Sequence, residues 1–361
     1  MATDCYRILD VDLVIESAQE PFLAAFRQDY GRFQAPLTGA CNPLRVHFED
    51  GPQGEGAFLA VDDPRHTLEG HPQAWRLAAQ TLAQVVQDHL RAYTTLHAAT
   101  LAQPGGALAI AGPSGAGKTT LALALMAAGW AYYSDDFCPI HRETRLVHPY
   151  PRSLWVRPGP GQMASDLTRG KVLFNLEERG FTIGGPPLPL RWLICLDGKA
   201  GQENIGKGRL RIGIRKGAED ALLAEFLSVE GTEVERASEP GALGWTVHYL
   251  REGDPTRRIK DLLQRHRDLI WNVFSLPDPH PGFTQQPVLS PIPPHDAAFH
   301  LLGDLKHDLI EAGRARTMKP GALLAHLSDL LSGVACFRLT PGPLEACLTL
   351  IHHELNGVGT P

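Results

Sequence analysis

The residues Gly112-Pro113-Ser114-Gly115-Ala116-Gly117-Lys118-Thr119 satisfy the spacing G-x-x-x-x-G-K-[ST] without a mismatch. Glycines at those places let successive backbone N–H groups turn inward and close on phosphate oxygens. The lysine can reach the terminal phosphates of a nucleotide, and the hydroxyl after it can ligate Mg²⁺. A helix that starts there points its positive dipole end at the same anion. The expected nucleotide-binding set runs from Gly112 through Thr120, with Lys118 as its cation and Thr119 as a metal ligand.

A second set of reactive groups comes one short turn after the helix that the loop would open. Ala131-Tyr132-Tyr133-Ser134 reads as a buried strand, and Asp135-Asp136 ends it. Adjacent carboxylates point to different sides of the backbone, so one can hold Mg²⁺ while the other accepts a proton from an attacking hydroxyl. The bland reading is a solvated loop or a helix cap. Arg152 and Arg157 flank Ser153-Leu154-Trp155-Val156 just beyond. A guanidinium fork there could hold a phosphate or a substrate, and two solvated arginines are the alternative. His97 precedes the glycine loop by a strand and a turn, either near the reacting phosphate or silent in a turn.

These residues need a frame. Apolar runs at Leu96–Leu101 and Ala107–Ala111, broken by Gln103-Pro104-Gly105-Gly106, fit two strands and a turn. With a helix over Lys118–Ala128 and a strand over Ala131–Ser134 they make a strand–loop–helix–strand unit of an α/β sheet. Upstream, Leu13–Glu16, Leu44–Phe48 and Phe58–Val61 are candidate strands, and apolar spacing over Pro72–Arg91 predicts an amphipathic helix. Downstream, strands are expected at Arg191–Leu196, Arg209–Ile214 and Val334–Leu339. Helices are expected at Ala218–Leu227, Pro255–Phe274, Ala297–Ala312, Pro320–Leu331 and Pro343–Leu355. Seven prolines between Leu276 and Pro294 predict a linker or wrapping arm without regular structure. The division expected is a small α+β region over 1–75, a nucleotide-binding core over 76–275, a Pro-rich arm over 276–295 and a completing segment over 296–361.

Two further patterns carry no assigned chemistry. Lys207, Arg209, Arg211, Arg215 and Lys216 form a local basic run, read as a solvated strand face. His300, Asp304, His307 and Asp308 share one side of a helix at metal-ligand spacing, but no second ligand helix accompanies them.

Composition excludes several classes. The chain has 361 residues, 43% of them hydrophobic, enough for a sizeable core. Its net charge of −6 lacks the broad basic footprint of a nucleic-acid binder, so no nucleic-acid partner is expected. The longest apolar stretch, Leu121 to Tyr133, falls short of the roughly 18 residues that cross a bilayer. The N-terminus has no basic region or cleavage site of a signal peptide. Six scattered cysteines (Cys5, Cys41, Cys138, Cys195, Cys336, Cys347) form no C-x-x-C and suit a reducing cytoplasm.

The segment Gly112–Ile140, with Gly129-Trp130-Ala131-Tyr132-Tyr133-Ser134-Asp135-Asp136-Phe137 after the helix, resembles the HPr kinase/phosphorylase family. That family's nucleotide fold is related to phosphoenolpyruvate carboxykinase. Leu96-His97-Ala98-Ala99 stands where the family carries a histidine, and Phe337–Glu345 is similar to the closing strand and helix of its shorter relatives. The resemblance implies an α/β P-loop kinase core, with His97 at the active site, Asp135 as base and Asp136 on Mg²⁺. It departs from the bifunctional enzymes in lacking their E-x-R-G-x-G segment, for which Thr168-Arg169-Gly170-Lys171 is a poor substitute. The closer likeness is to short, divergent kinases that phosphorylate serine in biosynthetic peptides such as lasso-peptide precursors. The expectation is thus an ATP- and Mg²⁺-dependent kinase acting on a serine hydroxyl of a peptide or protein. The alternatives are a small-molecule hydroxyl as acceptor, or a nucleotide-binding switch without kinase activity. Assembly as a homo-oligomer is left open.

Overall fold

The computed structural model describes residues 2–36, 43–50, 57–62, 65–67, 74–113, 115–157, 171–197, 207–214, 219–236, 244–250, 254–267, 269–276, 286–304 and 320–357. The architecture is mixed α/β, with eight α-helices among these residues.

The N-terminal layer is a five-stranded sheet with two helices packed on it. Its elements are β1 (Ala2–Ile8), β2 (Val11–Ser17), α1 (Glu20–Tyr30), β3 (Leu44–Asp50), β4 (Ala57–Val61), β5 (Arg65–Thr67) and α2 (Ala74–His89). The strands run in sequence order, antiparallel except for the parallel pair β2–β3. β2 alternates strictly, with Val11, Leu13 and Ile15 inside, as a sheet with one wet face requires. α1 has no side-chain cap but carries Pro21 in its first turn, where a missing N–H costs nothing. It buries Phe22, Leu23, Phe26 and Tyr30 against the sheet. Neither β1 nor α1 is among the elements expected from sequence. The apolar residues of α1 are interrupted by Arg27, Gln28 and Asp29, which blurs the period.

The central sheet comes next: β6 (Tyr93–Leu96), β7 (Ala98–Gln103), β8 (Gly106–Ala111), α3 (Lys118–Ala127), β9 (Ala131–Ser134), β10 (Cys138–His141), β11 (Leu146–Val147), then a two-stranded ribbon of β12 (Leu154–Val156) and β13 (Val172–Phe174), and β14 (Leu188–Leu196). The strand order is β6-β10-β11-β14-β8-β7-β9. One expectation changes here. The run Leu96–Leu101 is not one strand, because the chain bends at His97 and passes from pairing with β10 to pairing with β8 and β9. β7 lies between β8 and β9 and runs antiparallel to both.

The next segment makes a separate four-stranded antiparallel sheet from β15 (Lys207–Ile214), β16 (Glu233–Arg236), β17 (Gly244–Leu250) and β18 (Ile270–Leu276), covered by α4 (Glu219–Leu227) and α5 (Asp254–Arg265). Ile212, Leu222, Phe226, Trp245, Val247 and Ile259 form its own core. The helix expected over Pro255–Phe274 ends at Arg265, and Ile270–Leu276 is a strand. The β-branched and aromatic residues Ile270, Trp271, Val273 and Phe274 favour an extended chain once β15 offers a partner. Of the basic run, Arg215 and Lys216 lie outside the described residues, as do the side chains of Lys207, Arg209 and Arg211.

The chain then returns to the central sheet through β19 (Val288–Pro291), α6 (Pro294–Asp304), α7 (Pro320–Leu330), β20 (Ala335–Thr340) and α8 (Leu344–Gly357). The Pro-rich arm is therefore partly regular: β19 pairs antiparallel with β20. Its prolines Pro287 and Pro291 bracket the strand on its edge, where a missing donor is tolerated. His307 and Asp308 lie outside the described residues. β20 runs parallel to β14 on the side away from β8.

Phe26 is fully buried, edge-on to Tyr6 at 5.0 Å and stacked on Tyr30 at 4.6 Å between centroids. Phe26→Ala is expected to lower unfolding free energy by about 3–5 kcal/mol, read by urea denaturation.

Candidate active site

The register of β7 decides where the candidate residues meet. Ala98, its first residue, pairs with Ala111 at the end of β8, and Thr100 pairs with Ser134 at the end of β9. The glycine loop leaves β8 at that edge, the Asp135-Asp136 turn leaves β9 at the same edge, and His97 enters there. Three segments separate in sequence are thereby brought to one end of one sheet.

The loop has the conformation its glycines permit. Gly112 (φ +151°) passes so close to β14 that a Cβ would lie 2.9 Å from Leu196 Cβ. Gly117 (φ +102°) caps α3 in the left-handed region, and Leu121 N–H donates to its carbonyl at 2.9 Å. Lys118 is buried, and its Nζ donates to the Gly112 carbonyl at 2.6 Å and to that of Pro113 at 3.4 Å. The ammonium is thus folded back into the loop rather than held out in solvent. Thr119 is half-buried and Thr120 exposed in the first turn of α3; Ser114 lies outside the described residues.

The two carboxylates sit in different surroundings. Ser134 Oγ accepts the N–H of Phe137 at 3.2 Å, closing the turn that carries both. Asp135 is 7% exposed, and among the described residues its Oδ1 has no hydrogen-bond partner. Burial, then the neighbouring Asp136 charge, pushes its carboxyl up to about 7, against the pull of Arg152 and Lys171. Asp136 has a side chain 41% exposed, and Arg152 Nη2 donates to both its oxygens at 3.1 and 3.2 Å. A buried acceptor without a partner is costly unless it receives something, and a hydroxyl proton or a cation would both satisfy Asp135 Oδ1. Together with the Thr119 hydroxyl and Asp136, this oxygen-rich donor set suits Mg²⁺.

The arginines separate. Arg152 is spent on Asp136 and, through Nη1, on the Tyr30 hydroxyl at 3.1 Å. Arg157, exposed at the end of β12, reaches the loop itself: its Nη2 lies 3.9 Å from where a Gly115 Cβ would stand. His97 is half-buried in the bend between β6 and β7.

Two residues at this end escaped the sequence reading. Asp197 comes just after β14, the parallel neighbour of β8, and its carboxylate accepts Arg338 Nε at 2.6 Å and Thr340 Oγ1 at 3.2 Å. An apolar strand ending in an acid was the available signal. Tyr30 had no local signal, because it arrives from the N-terminal layer.

Among the described residues no helix is long and apolar enough to cross a membrane. No protein-family model matches the chain, and no curated protein matches it.

Because the folded chain holds a proton on Asp135 more tightly than the unfolded chain does, this group's contribution to stability is lost as pH rises from about 4 to about 7. Asp135→Asn removes that loss. Its melting temperature is expected to gain on the wild type at pH 8 and to gain less at pH 5; equal gains would contradict the raised pKa.

Proposed function

We propose that this chain is an ATP- and Mg²⁺-dependent kinase, similar to the HPr kinase type, that moves the γ-phosphoryl group to a serine hydroxyl of a peptide or protein. The observation that carries the reading is the placement of a buried, unpartnered Asp135 Oδ1 at the sheet end from which the glycine loop departs. A carboxylate with a pKa near neutrality is suited to accept a proton in the transfer step.

In that step the acceptor oxygen bonds to the γ-phosphorus, the bond from that phosphorus to the β–γ bridging oxygen breaks, and ADP leaves. The hydroxyl proton passes to Asp135. The loop amides and Lys118 hold the phosphates, and Arg157 beside Gly115 meets charge on the transferring group. Thr119 and Asp136 would hold Mg²⁺, which supplies charge neutralisation across the phosphates. The chain's share is positioning and electrostatics.

A transfer assay with γ-labelled ATP over serine-containing peptides tests this. Label is expected on the peptide hydroxyl with the wild type and at least about a hundredfold less with Asp135→Asn, which should still bind ATP. Lys118→Ala is expected to lose the nucleotide-dependent rise in melting temperature. Label that appears only on a small-molecule alcohol would move the acceptor class. Undiminished transfer by Asp135→Asn would remove Asp135 as base.

A further inference from the structure

The ribbon of β12 and β13 carries a cation at the same end of each strand. Its register, Leu154↔Phe174, Trp155↔Leu173 and Val156↔Val172, puts Arg157 and Lys171 one step further on. Residues opposed in an antiparallel pair share a face, with Cβ atoms about 5 Å apart, and like charges so placed repel. That arrangement costs stability unless an anion comes between them. Among the described residues neither Arg157 nor Lys171 makes an ion pair or a side-chain hydrogen bond. Lys171 is half-buried and Arg157 exposed.

Each cation also meets a different part of the site. Arg157 Nη2 lies 3.9 Å from where a Gly115 Cβ would stand, in the middle of the glycine loop. Lys171 acts on the other partner in the transfer, since its positive charge is felt by the buried Asp135 carboxyl. The ribbon tip therefore spans from the loop to the acid, which leave one sheet edge from β8 and β9. A phosphoryl group passing from a nucleotide on the loop to a hydroxyl beside Asp135 crosses the same interval. Its three outer oxygens carry the negative charge that two adjacent cations without acids of their own would take up.

We propose that Lys171 is a catalytic residue of the transfer: with Arg157 it holds the γ-phosphoryl group at the ribbon tip. This rests on the kinase reading above and assigns a contact to a residue outside both the loop motif and the acid pair. The acceptor oxygen bonds to phosphorus as the bond to the β–γ bridging oxygen breaks, and the hydroxyl proton goes to Asp135. Lys171 gives up no proton in the step. It acts by charge on the outer oxygens of the group in transit.

ADP lacks the group that Lys171 would hold, so the test compares two nucleotides. The full chain is titrated calorimetrically, with Mg²⁺ and no acceptor, against ADP and against the non-hydrolysable β,γ-imido analogue of ATP. Lys171→Ala is expected to weaken the analogue about tenfold or more, the scale of a hydrogen bond to a charged group, and to leave ADP unchanged. Lys171→Met, which keeps the length of the stem, should do the same, and Lys171→Arg should restore most of the loss. In the labelled-ATP assay, kcat of Lys171→Ala should fall about a hundredfold with the KM for the peptide unmoved. Without nucleotide its melting temperature should be no lower than that of the wild type, because a repulsion has been removed. Equal weakening of ADP and the analogue, with a lower melting temperature, would make Lys171 a structural residue and overturn the proposal. Undiminished analogue binding and transfer in Lys171→Ala would overturn it too. Should Lys171→Ala fail to fold, Lys171→Met is judged by the same outcomes. A wild type that binds ADP and the analogue equally would overturn this inference alone, whereas one that binds neither would bring down the nucleotide reading with it.

Discussion

The rest of the site depends on the pairing of β7. A strand with an antiparallel neighbour on each side forces those neighbours to run the same way, so the segments after them leave the sheet at one edge. β8 and β9 are those neighbours, and their C-terminal ends open into the glycine loop and the acid pair. A register shift of one residue would turn every side chain of β7 to the other face and dismantle the core on both sides. That core is dense: Ala98, Ala99, Thr100 and Leu101 are all buried. The geometry of this edge is thus maintained by apolar packing several residues away from it.

At that edge the protein sets two adjacent carboxylates apart by environment. One is sunk in the turn with an oxygen left unpartnered; the other is half in solvent and tied to a guanidinium. The same residue type thereby meets two environments, and burial raises the proton affinity of Asp135. The cost of the buried member is carried by the surrounding sheet. Arg152 is the pivot, since its charge bears on both carboxylates and its orientation is set from the N-terminal layer.

How much of this was legible in the sequence depends on how local each signal is. The glycine loop, α3 and the acid pair are contiguous patterns whose spacing is their meaning, and the structure places them as strand, loop, helix and strand. β2, β3, β4 and α2 show their apolar periods plainly, nearly to their ends. β18 is ambiguous on its own, because a run such as Ile270–Phe274 suits a buried strand or a buried helix alike, and β15 decides between them. β19 is hidden by prolines that an edge strand tolerates. Arg152 and Arg157 look equivalent in the sequence, five residues apart on either side of an apolar stretch. Only Tyr30 and Gly115, distant in sequence, distinguish them.

The turn that holds the acid pair also shares in another part of the molecule's interior. Phe137, next to Asp136, and Tyr150, whose backbone N–H donates to the Tyr133 carbonyl, both belong to the hydrophobic cluster built around β1, β2 and α1. Phe137 and Tyr150 lie 4.6 Å apart, and Phe33 reaches Tyr150 at 5.3 Å. Local opening of the N-terminal layer would thus strip two aromatic faces from the acid-pair turn while the central sheet stayed paired. Hydrogen exchange at the Phe137 and Tyr150 amides and in α1 would belong to one cooperative unit, with a free energy of opening below that of the whole chain.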